Sequence, residues 1–217
     1  MTPLRIDIVS DVVCPWCIVG YCQLKQAVDA TGTPVDIHWH PFELNPNMLA
    51  EGQNMVEHIM EKYGCSLAES HANRDRLTAI GEDLGFNFSF ADDMRMHNTF
   101  STHQLLHWAT LQGRGNDLKQ ALFAAHFTHR RDLSDAAILT DIASETGLDR
   151  DEAAAVLFDQ RFAKAVREEE TFWTKQGING VPAMVFDRQH LVTGAQGVDN
   201  YTSILTQLMQ GSEAAAE

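Results

Sequence analysis

The chain has 217 residues, with 16 Lys and Arg against 30 Asp and Glu, a formal net charge of −14 and a pI near 5.0. So acidic a chain, without any Lys/Arg cluster, has no electrostatic basis for binding nucleic acid or an anionic membrane. Hydrophobic residues at 44% and charged residues at 21% exclude global disorder, and no apolar run is long enough to span a bilayer.

The first nine residues hold no long apolar core and no small-residue cleavage site, so a cytoplasmic protein is expected. Leu4 to Val9 alternates apolar and polar residues and then turns apolar, which reads as a strand with a buried far end. Ser10 and Asp11 follow as candidate helix caps. From Pro15 or Trp16 the sequence is compatible with a helix that puts Leu24, Ala27 and Val28 on one face and stops at Thr31 to Pro34. Val35 to His40 alternates again as a second strand, closed by Pro41. A strand–helix–strand unit of this length favours parallel strands.

From residue 48 to 176 the pattern is almost wholly helical. Gly64 reads as a stop, Ser66 with Glu69 as a capping box, and Gly85 as the next stop. Asn98 can cap the helix that carries Leu105, Leu106 and Trp108. Leu118 to His126 shows another apolar face. Asp149 with Glu152 repeats the cap pattern, and Gly177 closes the last helix. Strands return at Ala183 to Phe186 and His190 to Thr193, flanking a turn at Asp187 to Gln189, and a final helix runs from about Val198 to Met209. The expected class is α/β, a βαβ…ββα fold interrupted by a large all-helical insertion. Residues 1–47 form its N-terminal half, 48–176 the insertion, and 177–217 the C-terminal half. Neither flank has enough strands to close a core alone.

Four cysteines are too few for a disulfide scaffold at this length, so their placement matters. In Cys14-Pro15-Trp16-Cys17 the first cysteine falls where a buried strand gives way to a helix. Proline suits the first helical turn, because its missing N–H would go unused. Free backbone N–H groups and the positive end of the helix dipole favour an anion there, and a thiolate is the anion on offer. Cys17 lies three residues on, with its Cβ roughly 5–6 Å from that of Cys14, near disulfide geometry. One sulfur can then attack a disulfide and the other release the mixed product. Half of a zinc site and inert packing are the alternatives. The first lacks a second ligand pair, so no metal is expected. Val181-Pro182 ahead of the third strand is a second candidate element. By itself it reads as an ordinary trans proline.

Several segments together resemble the DsbA family of thioredoxin-fold oxidoreductases, and within it the cytoplasmic FrnE-like branch. They are Ser10 to Gly20 around the two cysteines, His40 to Pro46, Asn98 to Phe100, His107 to Ala109, Gly180 to Ala183 and Gly194 to Gln196. The resemblance runs over nearly the whole chain. It implies that Pro182 is cis and lies against the two cysteines, that the backbone of Val181 pairs with a substrate peptide like an added strand, and that Cys14 is the nucleophile. The catalytic set is then Cys14, Cys17 and Pro182, and the substrate-contacting set is Pro15, Trp16 and Val181. No cofactor is implied beyond the redox-active Cys14–Cys17 pair. Protein or peptide thiols and disulfides are the expected partners, together with glutathione or a thioredoxin-type reductant.

The family's best-known periplasmic oxidase has histidine where this chain has Trp16. Tryptophan offers the thiolate no cationic support from that position, so a less oxidising couple is expected. In a reducing cytosol, reductase or isomerase work fits better than net oxidation. Two rivals remain. One is a glutathione-dependent kappa-type transferase or isomerase, which typically carries serine where Cys14 stands. The other is a non-catalytic peptide-binding or chaperone-like protein.

Cys22 stands five residues after Cys17, about 140° around a helix and about 7.5 Å along it, so a bond between them needs the helix to unwind. Burial as a small apolar side chain is expected instead. Cys65 reads as a loop thiol. His103 with His107, and His126 with His129, could each offer two ligands on one face, but neither pair has a metallopeptidase carboxylate. The Phe86, Phe88, Phe90 alternation is expected to line a core or a groove.

Overall fold

The computed structural model describes residues 3–49 and 51–214. Strand β1 (Leu4–Ser10) leads into α1 (Pro15–Thr31) and returns as β2 (Val35–Pro41), parallel to β1 with Ile6 opposite Ile37. After the insertion, β5 (Ala183–Phe186) and β6 (His190–Thr193) form the expected hairpin, and α9 (Val198–Ala214) follows. In the three-residue hairpin loop Asp187 to Gln189, Asp187 and Arg188 both have positive φ, 48° and 57°, and the Gln189 N–H donates to Phe186 O at 3.0 Å, a turn whose twist matches that of the strands. Strand β5 runs antiparallel to β1, giving a four-stranded mixed sheet in the order β2-β1-β5-β6. This is an α/β thioredoxin fold with a helical insertion.

Strand periodicity explains how the sheet is covered. Ile6 and Ile8 of β1, with Met184 and Phe186 of β5, face a core completed by Ile18, Leu24 and Ala27 of α1 and by Tyr201 and Leu205 of α9. The alternate residues Val9, Ala183 and Val185 meet Trp173 and Ile178 on the other face. Each fully buried large side chain of this kind contributes about 1.5–3 kcal/mol.

The insertion holds α2 (Met55–Tyr63), α3 (Leu67–Leu84), α4 (Phe100–Leu111), α5 (Gly115–Phe127), α6 (Ala136–Glu145), α7 (Arg150–Asp159) and α8 (Ala163–Lys175). The capping box forms as expected, with the Ser66 hydroxyl accepting from the Glu69 N–H and the Glu69 carboxylate from the Ser66 N–H. Asp149 caps α7 through the Glu152 N–H at 2.9 Å. Asn98 acts one residue outside the helix start, accepting from the Phe100 N–H. One feature escaped the sequence. β3 (Gln53–Asn54) pairs antiparallel with β4 (Arg95–Met96), inside the stretch that reads as helical. Strands of two residues carry no period-2 signal. Helix α8, which the sequence groups with the insertion, supplies Trp173 to the sheet's second face.

Candidate active site

The site begins with the chain's exit from β1. The Cys14 N–H donates to Asp11 O at 3.2 Å, and the Cys17 N–H donates to Cys14 O at 3.1 Å. Cys14 is the N-cap of α1, with extended backbone and Pro15 following, and the first turn contains no acidic residue. Ser10 and Asp11, the expected caps, do not cap. Both are fully buried, and Asp11 Oδ2 instead accepts the Leu44 N–H at 2.8 Å. No side-chain oxygen therefore caps the first turn, and the positive end of the helix dipole lies at the sulfur.

The second piece comes from the far end of the chain. Val9 of β1 pairs with Ala183 of β5, so the residues preceding β5 lie beside those following β1. The Val181–Pro182 bond is cis, and the Cys14 thiol donates to Val181 O at 3.8 Å. Gly20 of α1 lies against this segment. A Cβ there would stand 3.4 Å from both Pro182 Cγ and Met184 Cε.

Cys14 is 4% exposed and Cys17 fully buried. Cys14 forms part of the wall of a cleft of about 340 Å³ together with Pro15, Trp16, Val181, Met55 and Tyr63, while Cys17 lies behind it. Phe90 also lines this cleft, and its ring stacks on Phe88 at 5.2 Å, so the alternating phenylalanines serve both core and groove. Trp16 is 38% exposed, with the Arg76 guanidinium 5.9 Å from its ring. Lys62 reaches into the cleft wall from α2 and donates to Leu44 O and Asn45 Oδ1 at 2.9 and 2.8 Å. It thereby pins the loop that holds Asp11.

The two thiols are chemically unequal. Burial pushes the Cys17 thiol well above the ordinary range, and its contact with Cys14 adds to the shift. Near it lie two further buried charges. Burial alone would raise Asp11, but the His103 hydrogen bond and charge, the Leu44 N–H and Lys119 hold its carboxyl below the usual value. Lys119 is 1% exposed, with its Nζ 5.1 Å from the Trp39 ring and 5.0 Å from the Phe123 ring. Burial brings it down to about 8, against the opposing pull of Cys17, Asp11 and Cys14. A lysine with this value exchanges protons near neutrality.

The remaining sequence candidates fall elsewhere. Cys22 packs half-buried within an unbroken α1, its thiol pushed up to about 11 by burial. The Cys65 thiol donates to Ile59 O at 3.8 Å. His103 and His107 line one cleft, while His126 is buried and brought down to about 4 by desolvation and by His97. Among the described residues no three His, Cys, Asp or Glu side chains are grouped as metal ligands. Asp11, Lys62 and Lys119 were not singled out as site residues from the sequence. For Lys119 a signal existed, because it shares the i, i+4, i+7 stripe with the buried Phe123 and His126.

Fold and paired cysteines together define the class, a thioredoxin-fold thiol–disulfide oxidoreductase. The chain belongs to the DSBA-like thioredoxin domain family, whose model matches residues 5–206. A probable DsbA oxidoreductase from Streptomyces coelicolor is 34% identical, with a TM-score of 0.88 over 94% of this chain and 89% of that one. YwbO of Bacillus subtilis is 23% identical over 94% of this chain and 96% of its own. The cytosolic disulfide reductase DsbM of Pseudomonas aeruginosa shares the fold at 18% identity, with a TM-score of 0.65 over 95% of this chain and 99% of its own. Among the described residues no helix is long and apolar enough to cross a membrane.

Proposed function

We propose that the protein reduces or isomerises disulfides of proteins and peptides in the cytoplasm through the Cys14–Cys17 dithiol. The observation that carries this reading is the position of Cys14, an N-cap sulfur in the wall of a cleft against Val181 O, with a buried second thiol one helical turn behind. The Cys14 thiolate attacks a substrate disulfide. A Cys14–substrate bond forms, and the substrate's own S–S bond breaks as its first thiolate leaves. The departed substrate thiolate takes up the Cys17 proton, and the Cys17 thiolate attacks the Cys14 sulfur. The Cys14–Cys17 disulfide forms, and the second substrate thiolate departs. Two electrons pass to the substrate, whose thiolates take up protons. The dithiol is regenerated by an external thiol.

Pro15, Trp16 and Val181 form the substrate-contacting edge. The backbone of Val181 pairs with an extended peptide, and Trp16 covers it. Glutathione suits the same cleft as a small thiol partner. In support, a structure of DsbM, which has this fold, was solved with GSH. Both Cys14 and Cys17 are present, which favours dithiol exchange over kappa-type glutathione transfer.

Reduction of insulin and refolding of scrambled RNase test the reading. Cys14→Ser abolishes both, and Cys17→Ser accumulates the mixed disulfide. Activity that survives Cys14→Ser overturns the reading in favour of a binding or chaperone role. The reduction potential of the pair, set against the cytosolic glutathione poise, fixes the direction of electron flow.

A further inference from the structure

Strand β4 and the end of α5 contribute to two clefts. Met96 and Phe127 line the dithiol cleft. Their neighbours Arg95, His97 and His126 line a second cleft, of about 360 Å³, which shares no lining residue with the first. In its wall two buried imidazole nitrogens lack partners among the described residues. His126 is 2% exposed, and its Nε2 makes no hydrogen bond. His97 is 7% exposed, and its Nδ1 is equally unpaired, while its Nε2 lies 3.2 Å from Asp132 Oδ1. Buried polar atoms are rarely left unmet, so two in one cleft call for a bound group.

The rest of the wall is cationic. Arg95 donates through Nε and Nη2 to the carbonyls of Glu51 and Gly52, and its Nη1 remains for a ligand. Arg130 has left-handed backbone, φ 53°, where the chain turns back and the Arg131 N–H reaches Ala125 O at 2.8 Å. The Arg130 side chain lines the cleft and has no partner among the described residues. Arg131 is held by both oxygens of Glu145 at 2.9 Å, and His129 is exposed at the rim. Two carboxylates share the lining. Asp132 Oδ1 accepts the Ser134 N–H and hydroxyl at 2.8 and 2.6 Å, and Asp93 is exposed. Three guanidinium groups thus stand against two carboxylates, the reverse of the chain's balance of 16 basic to 30 acidic residues. That wall disfavours a metal cation and favours an anion.

Burial keeps both imidazoles neutral. It brings His126 down to about 4, with His97 adding to the shift and Asp11 and Asp132 opposing it. It also lowers His97, with Arg95 adding and Asp132 opposing. A neutral His97 whose Nε2 donates to Asp132 presents a bare lone pair at Nδ1, which repels an anion; a protonated His97 donates on both sides. An entering anion supplies the countercharge that holds this proton. Donors from four side chains suit a tetrahedral oxyanion better than the two oxygens of a carboxylate. The volume lies within the range of small-molecule sites, roughly 300–1,000 Å³, and Met94 offers apolar surface beside the donors.

We propose that this second cleft binds a phosphoryl oxyanion together with a proton: His97 takes up the proton and donates from Nδ1, beside His126 Nε2, Arg95 and Arg130. The site stands apart from the dithiol and does not depend on its chemistry. Its rival is a cleft in which solvent water alone meets the two imidazoles.

The test is titration calorimetry at constant ionic strength with sodium sulfate, inorganic phosphate and phenyl phosphate. Sulfate does not titrate near neutrality, so protons taken up with it, read from buffers of different ionisation heat, belong to the protein. Wild type takes up roughly one proton per sulfate, and affinity falls about tenfold per pH unit above neutrality. Nitrogen NMR of the imidazoles shows His97 Nδ1 and His126 Nε2 shifting as sulfate binds. Arg130→Gln, at an exposed position, weakens binding about tenfold and leaves the proton uptake unchanged. His97→Asn sets an amide donor near Nδ1 that cannot titrate; sulfate still binds, with no proton uptake and a flat pH profile. Phenyl phosphate bound more tightly than inorganic phosphate identifies a phosphate ester as the ligand, and the reverse order identifies the free ion. Absence of binding by sulfate and phosphate overturns the proposal. So does affinity undiminished in Arg130→Gln, or proton uptake unchanged in His97→Asn.

Discussion

The two faces of the central sheet are built from the same strands and do different work. Toward α1 and α9, β1 sends Ile6 and Ile8, and β5 sends Met184 and Phe186. Toward α8 and α4, β1 sends Arg5 and Asp7, and β2 sends His38 and His40. The first face is a dry core. The second joins the apolar cluster of Val9, Ala183, Val185 and Trp173 to a polar network in which Asp7 is 1% exposed yet paired with both Arg5 and His40. A change of one residue in strand register would exchange the two faces, so the alternation in Leu4 to Ser10 specifies both the stability and the pH response of the fold.

The largest effect belongs to the dry face. Phe186→Ala costs about 3–5 kcal/mol in urea denaturation, and the loss is equal at acid and neutral pH. Asp7→Asn costs about 2–3 kcal/mol, because Arg5 and His40 lose a charged partner, and this loss varies with pH. Similar behaviour from the two variants would break the comparison.

The pH dependence follows from two groups with opposite signs. Burial would lower His40, but its hydrogen bonds to Asp7 and Glu169 hold it above 6.5. That stabilisation is full below the unfolded value near 6.5 and is lost as pH rises through the folded value. Burial would raise Glu169, but His107 and His40 bring it from 4.5 to about 2. Its stabilisation is full above 4.5 and is lost as pH falls toward 2. Thermal unfolding of His40→Gln therefore loses the alkaline slope and shows a weaker acid slope. The smallest effect is at the surface. Lys25 and Asp29 form an i, i+4 ion pair at 2.7 Å, both well exposed, and Lys25→Ala leaves the denaturation midpoint unchanged.

Much of this architecture is legible in the sequence, because the signals are local. The hairpin of β5 and β6 matches its expected residues, since Asp187 to Gln189 breaks two β-branched and aromatic runs. The cysteines lie at the expected strand–helix junction because Pro15 allows a helix to start only there. What depends on the third dimension is hidden. Asp11 reads as a cap from its neighbours, but its carboxylate is claimed by Leu44, 33 residues away. Lys119 lies within an apolar-faced stretch, where a lysine is ordinarily taken for a solvated edge. Only the packing of α5 against β2, which sets Nζ over the Trp39 and Phe123 rings, buries its amine. The β3–β4 ladder joins segments more than 40 residues apart through two residues each.

The contact between Cys14 and Val181 O spans 167 positions of chain, with the whole insertion synthesised between them. Closing so long a loop costs more entropy than a local contact and is slow. A nascent polypeptide therefore carries Cys14 out of the ribosome long before the segment that will face it exists. Until β5 docks on β1, the segment that carries Val181 has no place beside the thiol. Newly made molecules thus pass through an interval in which the Cys14 thiol lacks the Val181 carbonyl to which it donates in the finished fold.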